Sequence, residues 1–133
     1  MLGENPSFVF ALLIVIGIAA PVSAQLHRGS WEYLGSSHVD GTADHDKIQC
    51  HGSDTFRALQ LRVNGAAVRF DHIVIVYGNN AKQSLPVNSV ISSGGKSRNL
   101  DLPGDRRDIK YVELWYEKGK WANKPEVRLY GLP

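Results

Sequence analysis

Cysteine is nearly absent from this sequence, since Cys50 is the only one in 133 residues. No intramolecular disulfide can form, so the hydrophobic core must hold the fold without a covalent cross-link. Ile48 and Cys50 fall on one side of a short predicted strand, and we expect the thiol to act as a small buried hydrophobic group. The alternative is an intermolecular disulfide or a reactive thiol, which would require exposure and a lowered pKa.

The motifs of the common enzyme classes are also missing. The sequence contains no Gly-x-Ser-x-Gly elbow, no Walker loop and no HExxH zinc motif. His72 cannot be joined to Ser84 or Ser97 as a catalytic triad from the sequence alone. We therefore expect a protein that is not an enzyme and that needs no cofactor.

A strong excess of one charge is lacking as well. The chain has 15 Lys and Arg against 13 Asp and Glu, and the two signs alternate along the sequence. A nucleic-acid-binding protein needs a clustered basic face. The composition therefore argues against a nucleic-acid partner.

Long apolar runs are absent except near the N-terminus, where residues 8–20 are apolar and uncharged. Pro21 breaks this run, and Val22 and Ala24 are the small residues that signal peptidase accepts at its −3 and −1 positions. We predict a signal peptide over residues 1–24, a single domain over 25–133, and a periplasmic or secreted location.

The start of this segment departs from a usual signal peptide, because residues 1–7 contain Glu4 and no Lys or Arg. An uncleaved membrane anchor is the alternative, since the apolar run is nearly long enough to span a bilayer. Only in that case would the protein have a membrane partner.

After residue 25 the sequence shows short β-rich runs between Gly, Asn and Pro turns, and no long amphipathic helical pattern. This regular spacing favours an all-β, single-domain antiparallel β-sandwich, or a partly closed barrel, over any βαβ arrangement. The predicted strands are Trp31–Leu34, Lys47–Cys50, Phe56–Val63, Val68–Phe70, Ile73–Tyr77, Gln83–Val87, Ser97–Leu102, Ile109–Glu117 and Glu126–Tyr130.

The segment 56–78 has the longest alternation of apolar residues beyond the N-terminus. Leu59, Leu61 and Val63 share one face of a strand, and Gln60 and Arg62 point the other way. Asn64-Gly65 then predicts a tight type I′ turn into the next strand, as in a hairpin.

The segment 38–51 is the densest set of possible metal ligands, and the candidates are Asp40, Asp44, Asp46 and His51. Its spacing fits known sites poorly: in a calcium loop that starts at Asp40, His45 and His51 occupy the places of the required Gly and Glu. The alternative is a polar loop whose aspartates cap turns. A hydrolase that uses Asp or His from this loop is the enzymatic alternative, and it requires at least two of the four side chains to converge.

The segment 111–130 is rich in aromatic residues and supplies the candidate ligand-binding residues Trp115, Trp121, Tyr130 and Arg128. Alternation places Trp115 and Tyr130 on the outside of successive strands, so we expect them to lie side by side with Trp121 in the loop between. Exposed rings next to Arg and Glu are surfaces on which sugars or partner side chains stack. The alternative is that a second layer, or the first strand, covers these rings.

The segment 103–108, PGDRRD, is interpreted as a surface turn. We expect Asp101, Asp105 and Asp108 to pair with Arg98 or with the two arginines of the turn.

The order of these features resembles the YaaI-like family of small exported bacterial proteins. The features are Leu34-Gly35, LQLRVNGAAVRF, a strand that ends in YG, a Ser-Leu-Pro-Val strand, a Gly-Gly turn, RNLDLPGDRRDI and a closing EVRLYG. The resemblance covers roughly 31–131. It implies an all-β envelope protein of unknown function and supplies no catalytic residues. Residues 98–109 also faintly resemble strands of galactose-binding-like sandwiches.

Taken together, the sequence predicts a non-catalytic binding or structural module of the bacterial envelope; it does not identify the partner, for which an envelope glycan or protein is the candidate. A glycan-binding or ligand-binding domain that uses exposed aromatics is the first alternative. An envelope hydrolase or a metal-binding protein is the second.

Overall fold

The computed structural model describes residues 29–51 and 54–133. The predicted signal peptide, residues 1–24, lies outside this range. The described strands all belong to one compact unit, Trp31–Pro133. No helix in the described residues is long and apolar enough to cross a membrane.

The described part of the chain is all-β. Its strands are β1 (Glu32–His38), β2 (His45–Gln49), β3 (Ala58–Asn64), β4 (Val68–Tyr77), β5 (Lys82–Ile91), β6 (Leu100–Asp101), β7 (Ile109–Tyr116) and β8 (Glu126–Leu132).

These strands form two antiparallel sheets. Sheet I has the order β1-β8-β3-β6, and sheet II has the order β2-β7-β4-β5. The inward side chains of both sheets form one hydrophobic core. The predicted antiparallel β-sandwich is confirmed.

Alternation along the strands explains which residues fill the core. In β7 Val112 and Leu114 are fully buried, while Trp115 between the inward positions is only half-buried. In β8 Val127 and Leu129 are fully buried and Arg128 is exposed. Each such aliphatic side chain contributes about 1.5–3 kcal/mol when it leaves water.

The turn at Asn64-Gly65 is not a hairpin, contrary to the prediction. Gly65 does have a positive φ of 105°, but β3 and β4 belong to different sheets. The chain crosses here from sheet I to sheet II, because Val68 and Phe70 fill the second layer of the core and do not pair with β3.

The two predicted strands 68–70 and 73–77 form the single strand β4. A bulge between Phe70 and His72 interrupts its pairing with both neighbours. A bulge re-aims side chains without ending a strand. It leaves Asp71 exposed and turns His72 to the outside of sheet II, opposite Trp115.

One side of the sandwich is partly closed by contacts between β1 and β2. The backbone N–H of His51 donates to the carbonyl of Leu34 at 3.3 Å, and the Ser37 hydroxyl donates to the Asp46 carboxylate. These contacts link an edge strand of sheet I to an edge strand of sheet II.

The ion pairs predicted around residues 101–108 are not formed within the described ranges. Arg98 instead donates to the carbonyls of Val87 and Pro86 at 2.8 and 2.7 Å. The guanidinium of Arg107 lies 3.9 Å from the ring centre of Tyr77. The partners of these two arginines are therefore backbone carbonyls and an aromatic ring, both fixed by the fold, and not the flexible surface carboxylates.

Cys50 is half-buried and packs against the core. Burial raises the pKa of its thiol to about 12. Because the thiolate is the nucleophile, a thiol that stays protonated at neutral pH is unreactive.

Candidate functional site

The four metal-ligand candidates do not form a metal-binding group in the described residues. In residues 29–51 and 54–133, no group of three or more His, Cys, Asp or Glu side chains could hold a metal ion. Asp40 caps a turn by accepting the backbone N–H and the hydroxyl of Thr42, both at 3.0 Å. These bonds, the backbone one first, hold the pKa of Asp40 below its ordinary value.

The other candidates in this loop have separate partners. Asp44 lies 2.9 Å from Nδ1 of His45, and this hydrogen bond lowers the pKa of the carboxyl. Asp46 accepts from Ser37 and from the backbone N–H of Lys47. His51 is exposed at the end of the loop. Each of the three aspartates thus has its own hydrogen-bond partner in the described part of the chain.

Trp115 lies on the outer face of sheet II, between two histidines. The ring centres of His45 and Trp115 are 4.5 Å apart with an interplanar angle of 20°. Those of His72 and Trp115 are 5.5 Å apart with an angle of 9°. The register explains the stack, because Trp115 is directly opposite His45 on one side and His72 on the other.

Each histidine of this stack is held by the aspartate before it. Nδ1 of His72 lies 2.7 Å from Asp71, as Nδ1 of His45 lies near Asp44. The two imidazoles therefore cover both faces of the indole, and among the described residues the buried Nε1 of Trp115 has no hydrogen-bond partner. Trp115 does not present a flat ring on which a sugar could stack.

Trp121 lies in the loop between β7 and β8, away from Trp115. Its Nε1 donates to the carbonyl of Ala67 at 3.3 Å, and its ring contacts Tyr116 with centres 6.5 Å apart. The ring also lies against Gly119, where any side chain would collide with it. Trp121 thus holds the loop against the core and is only partly exposed.

Tyr130 and Arg128 lie on the outer face of sheet I. Because β7 and β8 belong to different sheets, the expected side-by-side placement of Trp115 and Tyr130 is wrong. The predicted aromatic strip is divided between the two outer faces of the sandwich.

The outer face of sheet I brings together residues that are far apart in the sequence. Arg128 is directly opposite Arg62, and Arg62 is also bridged to Lys96 on its other side. We call Arg128, Arg62 and Lys96 the cationic row. Tyr130 is directly opposite Tyr33 on one side and Gln60 on the other. We call Tyr33, Tyr130 and Gln60 the tyrosine row.

The two rows are linked by contacts between guanidinium groups and rings. The guanidinium of Arg62 lies 3.8 Å from the ring centre of Tyr130. That of Arg128 lies 5.9 Å from the ring of Tyr33, and the two tyrosines meet edge to face with centres 5.7 Å apart. Tyr33 is 54% exposed, so its ring remains available to a ligand.

An open groove of about 600 Å³ runs along this face. It is lined by Arg62, Val63, Asn64, Gly94, Gly95, Lys96, Arg128 and Tyr130. The groove is shaped on one side by the turn at residues 92–95, in which Gly94 has a φ of 83°. Its volume lies in the usual range of ligand pockets.

The charges of this face are unequally neutralised. Arg128 Nε donates to Glu126 at 2.8 Å, and this hydrogen bond, with a smaller effect of Tyr130, holds the pKa of Arg128 above its ordinary value. Arg62 Nε donates to the neutral amide oxygen of Gln60 at 3.0 Å. Like charges directly opposite each other destabilise a sheet. The groove is therefore a site of positive potential that the protein neutralises only in part.

Sequence reasoning identified Arg128 and Tyr130 but missed Arg62, Lys96, Tyr33 and Gln60. Alternation did place Gln60 and Arg62 on the outside of their strand. The missing information was the register of β3 against β8, which no local pattern contains.

The chain belongs to the DUF2541 family, a domain of unknown function whose model matches residues 8–131. The YaaI-like name and the export of the protein stay predictions. A comparison with curated proteins gave no match.

Two solved structures similar to this chain are mutants of CBM29-2, a family 29 carbohydrate binding module. The first is 8% identical with a TM-score of 0.39, and it covers 77% of this chain and 89% of that chain. The second, complexed with cellulohexaose, is 10% identical with a TM-score of 0.39, and it covers 78% and 89%. Similarity at this level assigns no ligand to this chain.

Proposed function

We propose that this protein is a non-catalytic saccharide-binding module and that its binding face is the groove on the outer face of sheet I. The observation that carries the proposal is the position of the tyrosine row beside the cationic row on one face, where the cationic row and Tyr130 line the groove. Saccharides combine apolar ring faces with a rim of hydroxyl groups. A site that combines exposed aromatic rings with directional hydrogen-bond donors and acceptors matches both properties.

The individual side chains fit these roles. The exposed ring of Tyr33 can lie against a sugar ring, and the edge-to-face contact with Tyr130 holds it in place. The exposed amide of Asn64 lies on this face of β3 and supplies both donors and acceptors, while the buried amide of Gln60 holds Arg62 in place. The strands hold these groups rigidly, so little conformational entropy is lost on binding.

An open groove suits a chain of several sugars better than one enclosed small molecule. The predicted export of the protein would bring such a face to the polysaccharides of the envelope. N-terminal sequencing of the mature protein tests the export, and the sequence should begin at Gln25.

The test is calorimetry or affinity electrophoresis against a panel of neutral and acidic polysaccharides. We expect at least one of them to bind, and Tyr33→Ala to weaken its binding about tenfold or more, as for an aromatic anchor. Tyr111→Ala is the matched control, because Tyr111 is a half-buried tyrosine on the outside of sheet II with Lys47 over its ring. It should bind as the parent does.

Absence of binding to every polysaccharide in the panel would overturn the proposal. So would equal effects of the two tyrosine substitutions, since these would place the ligand elsewhere than on sheet I.

A further inference from the structure

We infer that the saccharide bound by this face is anionic and that Arg62, assisted by Lys96 and Arg128, binds its carboxylate or sulfate groups. This inference rests on the proposed function and adds the chemical class of the ligand. It also extends the site to two residues of the cationic row, Arg62 and Lys96, that sequence patterns did not indicate.

The first argument is the state of Arg62. In the part of the chain that the structure describes, its guanidinium forms no ion pair, and only its Nε has a protein acceptor, the amide of Gln60. Arg69 and Arg128, by contrast, each form an ion pair with a glutamate through Nε, at 3.2 and 2.8 Å. The terminal nitrogens of Arg62 form the fork that binds a carboxylate or sulfate with two parallel hydrogen bonds.

The second argument is preorganisation. The ring of Tyr130 lies 3.8 Å from the Arg62 guanidinium, and Gln60 fixes its Nε, so two neighbours hold the side chain in one orientation. A long side chain that is already ordered loses less entropy when a ligand binds.

The third argument is the cationic row itself. Arg62 lies directly opposite Arg128 on one side and Lys96 on the other, so the three cations form a line across sheet I. Among the described residues, Glu126 forms an ion pair with Arg128 alone. Juxtaposed like charges weaken the free protein. An anion bound in the groove would reduce this repulsion, so its binding would also stabilise the folded protein.

The number of charged side chains on this face favours an acidic saccharide over a nucleic acid as the ligand. Proteins that bind nucleic acids neutralise many phosphates along the strand. This face offers three cations and also carries the carboxylates of Glu126 and of Asp101, which lies opposite Ala58. Of the two tyrosine rings, that of Tyr130 already has the Arg62 guanidinium over it, which leaves less ring surface for stacking bases.

The experiment compares polygalacturonate with its methyl ester, which has the same sugar backbone without the charges. Dextran sulfate and dextran form the second pair, and single-stranded DNA is a separate ligand. We expect the better acidic polymer to bind about tenfold or more tightly than its neutral form, as for charged hydrogen bonds, and the preference to shrink as sodium chloride is added. The acidic polymer that binds more tightly identifies carboxylate or sulfate as the preferred group.

Arg62→Gln should remove most of this preference in a variant whose circular dichroism shows that it is folded. Arg69→Gln is the matched control, because it removes an arginine from the outer side of sheet II, and it should keep the preference. Should Arg62→Gln fail to fold, Arg62→Lys keeps the charge without the fork and is expected to lose part of the preference.

Equal binding of the charged and neutral forms would overturn the inference and leave the proposed function intact. An unchanged preference in a folded Arg62 variant, or DNA binding as tight as that of the acidic polysaccharide, would also overturn it. Absence of binding to all saccharides would overturn the proposed function as well.

Discussion

Replacement of Phe70 by alanine is expected to lower the free energy of unfolding by about 3–5 kcal/mol. Phe70 is fully buried in β4, where it is opposite Tyr116 on one side and Ser89 on the other. The close-packed interior cannot collapse into the space of a lost phenyl ring, so both the transfer free energy and a cavity term are lost. Urea unfolding monitored by tryptophan fluorescence measures the loss.

Val90→Ala is the control for this substitution. Val90 lies on the neighbouring strand β5 but is 55% exposed, so its truncation should change the stability by less than about 0.5 kcal/mol. Similar losses for both variants would contradict the assignment of Phe70 to the core of the sandwich.

Replacement of Gly35 by alanine is expected to lower the free energy of unfolding by about 1–3 kcal/mol and to weaken saccharide binding as well. A Cβ at this position would lie 2.5 Å from the carbonyl oxygen of Gln49 and 2.9 Å from Cγ2 of Ile48. The carbonyl belongs to the backbone of β2, which pairs with β7, so it cannot rotate away as a side chain could. The strand β1 must move, and Tyr33 moves with it.

Ser36→Ala tests whether this effect is specific to Gly35. Ser36 is the next residue of β1 and lies opposite Arg128 on the outer face. Thermal melting should give a value close to that of the parent. A Gly35→Ala protein with parental stability would show that β1 and β2 are not in the close contact described here.

The sequence pattern predicted well which side chains face the core, and it predicted poorly which strands pair with each other. Alternation assigned the inward faces of β3, β7 and β8 correctly, because burial of a half-exposed strand depends only on the period of its own side chains. The choice of partner strand depends on distant parts of the chain. This is why Asn64-Gly65 suggested a hairpin although the chain crosses there to the other sheet.

The candidate site was likewise predicted only in part. Arg128 and Tyr130 were predicted to lie outward, and they do. Their partners Arg62 and Tyr33 come from β3 and β1, and only the register of both strands against β8 shows that the four side chains share one surface. Trp115 was predicted to present an exposed ring. The bulge that places His72 against this ring has no sequence pattern by which it could be predicted.

The central claim is that the outer face of sheet I binds the ligand, and amide chemical-shift mapping with the acidic oligosaccharide tests it most directly. We predict that the perturbed signals belong to Arg62, Asn64, Lys96 and the 128–130 segment, together with Tyr33. The indole signal of Trp115, on the opposite face, should not move. Perturbations centred on Trp115, His45 and His72, with the sheet I signals unchanged, would contradict the claim.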